Sequence, residues 1–232
     1  MRPLVILPGW GHGRESWEPL VAKCAPREVR IFELPGFGSE PLVSSDWGVP
    51  EYAAWVRSKL EPLSASRFAL LGHSFGGRIA AVLASEGVDG LASLVLYGAP
   101  VLYRPTITTN LRILAAKVAK PLFAPFRSPG SLIGSDLADA EARGMGAIFR
   151  KTVGFDQGAT LPAIRVPTLL LSGTNDSSVP LRITQEAHGL IPGSELLLLP
   201  GLGHNAHQEN PTLFCGAVLR FLDKHEHPVS IR

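Results

Sequence analysis

Cysteine, charge of one sign and long apolar runs are all scarce in this sequence. Two cysteines, Cys24 and Cys215, are too few for a disulfide framework. No CxxC pair or Cys/His cluster has zinc-ligand spacing, so no metal site is expected. Lys and Arg number 22 against 20 Asp and Glu, a net charge of +2. That near-balance gives no reason to expect nucleic acid as the partner. No apolar stretch reaches the roughly 18 to 20 residues of a membrane helix. The N-terminal apolar run, Leu4-Val5-Ile6-Leu7, stops at Pro8-Gly9 and is too short for a signal-peptide core. A cytoplasmic location is therefore expected. Charged residues make up 18% and hydrophobic residues 45% of 232 residues. That composition and length suit one folded domain able to bury a core.

Short apolar runs alternate with amphipathic stretches of helix length. The strand candidates are Leu4–Leu7, Val29–Leu34, Phe68–Leu71, Leu91–Tyr97, Thr168–Leu171 and Glu195–Leu199. They are mostly continuously apolar, as strands of a parallel sheet covered on both faces are. Between them lie Ser16–Ala25, Pro50–Leu63, Phe75–Glu86, Leu181–Ile191 and Pro211–Lys224, which read as helices. The alternation predicts an α/β fold. Residues 101–162 hold no strand candidate. They offer two amphipathic stretches, Thr108–Val118 and Asp136–Val153, separated by Pro121, Pro125, Pro129 and Gly130. A helical insertion into an α/β core formed by 1–100 and 163–232 is the simplest organisation.

Gly72-His73-Ser74-Phe75-Gly76-Gly77 is the strongest local signal. It follows a strand and precedes a helix, the context of a nucleophile elbow, G-x-S-x-G. Residues two before and two after the serine crowd it, so both positions favour glycine. The turn lifts Ser74 above the sheet and puts the Phe75 N–H at a helix N-terminus, where an oxyanion develops. A serine hydroxyl needs a general base, and the base needs a carboxylate to orient it. The expected chain order is Ser, acid, His, each after a strand. His204, in the loop Gly201-Leu202-Gly203-His204 after Glu195–Leu199, fits the base. His207 is the one near rival. His73 sits inside the elbow and should point away, and His12 follows the wrong strand. Asp176 is the one carboxylate in the loop after Thr168–Leu171. Trp10, in Pro8-Gly9-Trp10-Gly11 after the first strand, is the candidate for a second oxyanion N–H.

With these residues in place, the chain resembles the α/β-hydrolase superfamily over essentially its whole length. The motifs are Pro8-Gly9-Trp10-Gly11, Leu34-Pro35-Gly36-Phe37-Gly38-Ser39, Gly72–Gly77, Val166-Pro167 through Asp176 to Val179-Pro180, and Gly203-His204 with Glu209-Asn210-Pro211. Within the superfamily it is most similar to small carboxylesterases of the pimeloyl-[acyl-carrier protein] methyl ester esterase type. C–C bond hydrolases are close relatives. Pro8 stands where such chains usually carry a histidine. The chain begins at what the family counts as its third strand, so about six strands are expected, with Val29–Leu34 at an edge. The resemblance implies carboxylic ester hydrolysis through Ser74, His204 and Asp176 without a cofactor. Thioesters, lactones and C–C bonds are alternatives for the same triad, and a non-catalytic small-ligand receptor is a further one. Residues 101–162 then read as a short lid. Leu102, Phe123, Phe126, Met145 and Phe149, with Trp10, are expected to line its acyl pocket. The lid carries eight basic side chains (Arg104, Arg112, Lys117, Lys120, Arg127, Arg143, Arg150, Lys151) against four acids. This allows an acidic acyl carrier protein as partner, besides a small-molecule ester.

Overall fold

The structure, a computed structural model, describes residues 1–104 and 132–226, with side chains from 137 onward in the second stretch. Phe123, Phe126 and the Thr108–Val118 stretch lie outside the described residues. The described strands are β1 (Leu4–Leu7), β2 (Val29–Ile31), β3 (Phe68–His73), β4 (Leu91–Tyr97), β5 (Thr168–Gly173) and β6 (Glu195–Leu199). They form one sheet in the order β2-β1-β3-β4-β5-β6, with every neighbouring pair parallel.

The apolar runs are continuous because both faces of the sheet are covered. Val5, Leu7, Phe68, Leu70, Leu94 and Leu96 enter one core, beneath α2 (Val49–Leu60) and α3 (Phe75–Ser85). Their sequence neighbours Leu4, Ile6, Ala69, Leu71, Val95 and Tyr97 enter the other, against α1 (Glu18–Cys24) and the C-terminal helix, Pro211–Glu226. This is the period-two alternation of a strand, applied to two dry faces. Truncating a fully buried leucine such as Leu70 to alanine costs about 2–5 kcal/mol.

Two sequence expectations need correction at their ends. The second strand stops at Ile31, not Leu34. Beyond it Glu33 accepts hydrogen bonds from the backbone N–H groups of Arg14 and Ser39, so the chain turns out of the sheet. The stretch Asp136–Val153 is not one helix. It is divided into α4 (Leu132–Ala142) and α5 (Gly146–Val153). Gly144, at φ 72°, supplies the left-handed backbone that breaks it. The remaining described helices are α6 (Leu181–Leu190), α7 (Ala206–Glu209) and α8 (Pro211–Glu226). Among the described residues, no helix is long and apolar enough to cross a membrane.

α5 is fixed to α3 by an uncommon contact. Arg78, 5% exposed, donates from Nη1 to the Phe155 carbonyl (2.5 Å) and from Nη2 to that of Val153 (3.5 Å). Gln157 returns a bond from Nε2 to the Arg78 carbonyl at 3.0 Å. Burial pulls the guanidinium down to about 10, with Asp156 acting in the opposite sense.

Candidate active site

Parallel strands bring their C-terminal ends to one edge of the sheet, where such folds hold their ligands. The predicted residues lie in loops at that edge. Ser74 follows β3 directly, at φ 50° and ψ −110°. A side chain at positive φ costs about 1–3 kcal/mol, held here by the surroundings. The Ser74 N–H donates to the Tyr97 carbonyl at 3.0 Å, and the Gly76 N–H to that of Pro8 at 3.1 Å. A Cβ on Gly76 would overlap the Leu7 carbonyl, so only glycine lets the first turn of α3 lie against β1.

His204 and Asp176 come together as the sequence predicts. His204 Nδ1 donates to Asp176 Oδ2 at 2.8 Å. Asp176 Oδ1 accepts from the N–H groups of Ser178 and Val179, both at 2.8 Å. The Asp176 side chain is 1% exposed and that of His204 18%. Three N–H donors thus offset the cost of burying the carboxylate. A proton on Nδ1 leaves the lone pair of the neutral ring on Nε2. The His204 ring lies 4.9 Å, centroid to centroid, from that of His73, the residue before Ser74. Ser74 Oγ and His204 Nε2 make no hydrogen bond among the described residues. Such contacts are often loose before a substrate closes them.

His207 does not reach Asp176. It is buried, stacked on Trp17 at 4.3 Å, and burial, with His12 and His204 nearby, pulls it down to about 3. His73 points away from the pocket, as expected, into the core against Tyr97. His12 is closer to the site than its strand suggests, 5.3 Å from His73 and 5.6 Å from His207. Burial and His204 lower its proton affinity, with Glu15 opposing.

Trp10 covers the elbow. Its indole meets Phe75 at 5.4 Å, Phe37 at 4.9 Å and Phe149 at 5.1 Å, all edge-on. The backbone N–H groups of Trp10 and Phe75 have no partner among the described residues. Phe149 belongs to α5, and Met145 packs on the loop at Gly36. Leu102 and Met145 are almost fully buried. A cavity of about 600 Å³ lies elsewhere, lined by residues such as Arg57, Ser64 and Glu86. It is open and shares no residue with the elbow, so we assign it no chemistry. Sequence reasoning missed Tyr97, whose hydroxyl reaches the His204 carbonyl; it reads as an ordinary apolar position, and nothing local marks it. Phe37 lies in the Leu34–Ser39 motif that the sequence singles out, but nothing there marks its contact with Trp10.

A serine on a strained strand-to-helix turn, with an imidazole oriented by a buried carboxylate in the loops at the same edge of the sheet, is the arrangement of hydrolase-type α/β folds. The chain belongs to the alpha/beta hydrolase family, whose model matches residues 4–217. It is 28% identical over 238 residues to a 2-hydroxy-6-oxononadienedioate/2-hydroxy-6-oxononatrienedioate hydrolase of Cupriavidus pinatubonensis, covering 92% of this chain and 82% of that one. It is 24% identical over 244 residues to the biotin biosynthesis bifunctional protein BioHC of Cellvibrio japonicus, covering 95% of this chain and 47% of that one. Among solved structures, a thermophilic esterase from Thermogutta terrifontis superposes with a TM-score of 0.77 at 20% identity, over 98% of this chain and 91% of that one.

Proposed function

We propose that this protein is a serine hydrolase that cleaves a carboxylic ester through an acyl-enzyme. Ser74 Oγ attacks the carbonyl carbon while His204 Nε2 takes its proton. The oxyanion forms against the Trp10 and Phe75 N–H groups, a contribution of about two to three orders of magnitude per donor. His204 returns the proton to the leaving alcohol. It then activates water, which attacks the acyl carbon and releases the acid and Ser74. Asp176 holds the tautomer and stabilises the imidazolium. The observation that carries this reading is the 2.8 Å bond from His204 to buried Asp176, in loops at the same edge of the sheet as the strained Ser74.

Residues 101–162 are read as a helical lid, with Phe149 and Trp10 bounding the acyl pocket. The four described basic side chains of that segment each have acidic partners. Arg104 pairs with Asp156 and Glu186, Arg143 with Asp139, Arg150 with Glu141, and Lys151 with Asp46. Arg112, Lys117, Lys120 and Arg127 lie outside the described residues. At the four described positions the paired charge gives no support for an acidic carrier protein, so the reading is a small-molecule ester.

The test is a chain-length series of p-nitrophenyl esters, with Ser74→Ala as control and a fluorophosphonate as label. One adduct on Ser74 and loss of turnover in the variant are expected. A Ser74→Ala protein that still turns over would end this reading. C–C bond hydrolysis is the second reading, favoured by the 28% identical relative. A rate on 2-hydroxy-6-oxo-dienoates above that on every ester would select it.

A further inference from the structure

We propose that Tyr97 and His73 are positioning residues, which set the backbone of His204 so that its imidazole meets Ser74. The inference rests on the reading of Ser74 as nucleophile and His204 as base. Tyr97 donates from its hydroxyl to the His204 carbonyl oxygen at 2.5 Å. His73 Nε2 approaches the same oxygen at 3.1 Å. A carbonyl oxygen only accepts, so the His73 proton must sit on Nε2. Both lone pairs of one carbonyl are therefore filled by side chains from the ends of two adjacent strands.

The arrangement joins base to nucleophile through very few bonds. His73 is the last residue of β3, one peptide bond before Ser74. Tyr97 is the last residue of β4, and its carbonyl accepts the Ser74 N–H at 3.0 Å. Both residues are 0% exposed, and their rings stack at 4.5 Å with 19° between planes. The stack cannot shift without opening the core beneath it. The loop that carries His204 is otherwise tied at its flanks. Gly201 N–H donates to Thr174 Oγ1 at 2.8 Å, and Gly203 N–H to Glu209 Oε2 at 2.7 Å. The carbonyl of His204 itself is held by Tyr97 and His73.

Burial, reinforced by His204, His207 and His12, keeps His73 neutral at ordinary pH. Its other nitrogen, Nδ1, faces Gly9, where a Cβ would lie 2.7 Å away. The ring is thus held as one tautomer, with its donor on the side of the base. The catalytic consequence is geometric. A displacement of about 1 Å between reacting groups costs on the order of a hundredfold in rate.

The test uses the full chain and three variants. Tyr97→Phe and His73→Phe keep the rings and remove the donors. His73→Gln keeps an amide donor that can reach the same carbonyl. Both phenylalanine variants are expected to lower kcat on p-nitrophenyl butyrate and the rate of fluorophosphonate labelling by about ten- to a hundredfold. KM should stay within about twofold, and His73→Gln should recover most of the loss. Wild-type rates in the phenylalanine variants, or no recovery by glutamine, would overturn the positioning role while leaving Ser74 labelled. No Ser74 adduct in the wild-type protein would remove the reading beneath it as well. Should either phenylalanine variant fail to fold, ¹⁵N-histidine NMR of the wild-type protein decides. His73 must be neutral with its proton on Nε2, and a proton on Nδ1 instead would overturn the proposal.

Discussion

Gly98 leaves the room that the His204 ring occupies. A Cβ at Gly98 would lie 3.2 Å from both Cε1 and Nδ1 of the His204 ring, and 3.4 Å from Asp176 Oδ2. The backbone there has φ +50°. Gly98→Ala therefore combines a left-handed strain of about 1 kcal/mol with a push on the imidazole. The expected result is a melting temperature about 2–4 °C lower and a kcat down by tenfold or more. Unchanged kcat in the folded variant would show that His204 has room to yield.

Ser74 is a serine in a conformation that suits glycine. Ser74→Gly should be inactive yet more stable than Ser74→Ala, because alanine keeps the strain at φ 50° and glycine relieves it. The expected difference is about 1 kcal/mol, or about 2–4 °C for a domain of this size. Differential scanning calorimetry of the two variants decides. An alanine variant equal to or above the glycine one would show that the turn is not strained.

On the proposed mechanism Asp176 has a geometric and an electrostatic task. Asp176→Asn keeps the volume, but its amide can present an N–H where Nδ1–H of His204 needs an acceptor. That favours the wrong tautomer, and kcat should fall by about four orders of magnitude. The Ser178 and Val179 N–H bonds to the other oxygen are kept. Melting should therefore change little. A loss of less than tenfold would remove Asp176 from the mechanism.

The histidine cluster makes the fold sensitive to acid. His73 is held well below the ordinary histidine range, and His207 is pulled down to about 3. An unfolded histidine takes up a proton below about pH 6.5. Between about 6.5 and 3 the unfolded state therefore binds more protons. Stability is complete above that window and falls with falling pH inside it. Each of the two contributes up to about 1.4 kcal/mol per pH unit. Urea unfolding from pH 7 to 4 measures the slope. His207→Phe, which keeps a ring on Trp17, should flatten it, and an equal slope in that variant would place the sensitivity elsewhere.

The turn at Ser74 and the pairing of His204 with Asp176 are legible in the sequence, because glycine spacing and a preceding strand mark each loop locally and chain order then relates the loops. The six parallel strands are legible for a related reason, since two dry faces leave continuous apolar runs. Tyr97 is not legible, because it reads as the last apolar residue of β4. Its hydroxyl finds a carbonyl 107 positions away, which no local pattern can show. Arg78 reads as a polar residue of an amphipathic helix. Its burial depends on a segment that returns after more than 70 residues. The break at Gly144 hides because helical periodicity continues across it.

The contact between Arg78 and α5 bears on substrate choice. Arg78 stands one helical turn beyond Ser74, and its buried charge holds the carbonyls of Val153 and Phe155. The helix that follows Ser74 and the end of the helix that bears Phe149 are thereby tied together. Trp10 and Phe149 meet edge-on, with ring centroids 5.1 Å apart, so an acyl group that passes between them must part the two rings. Parting them by moving α5 would strip a guanidinium of its partners inside the protein, at a cost of several kcal/mol. On the proposed mechanism the contact then limits the size of the acyl group. Turnover along an ester series should fall abruptly at one chain length, and Arg78→Met should turn the step into a slope.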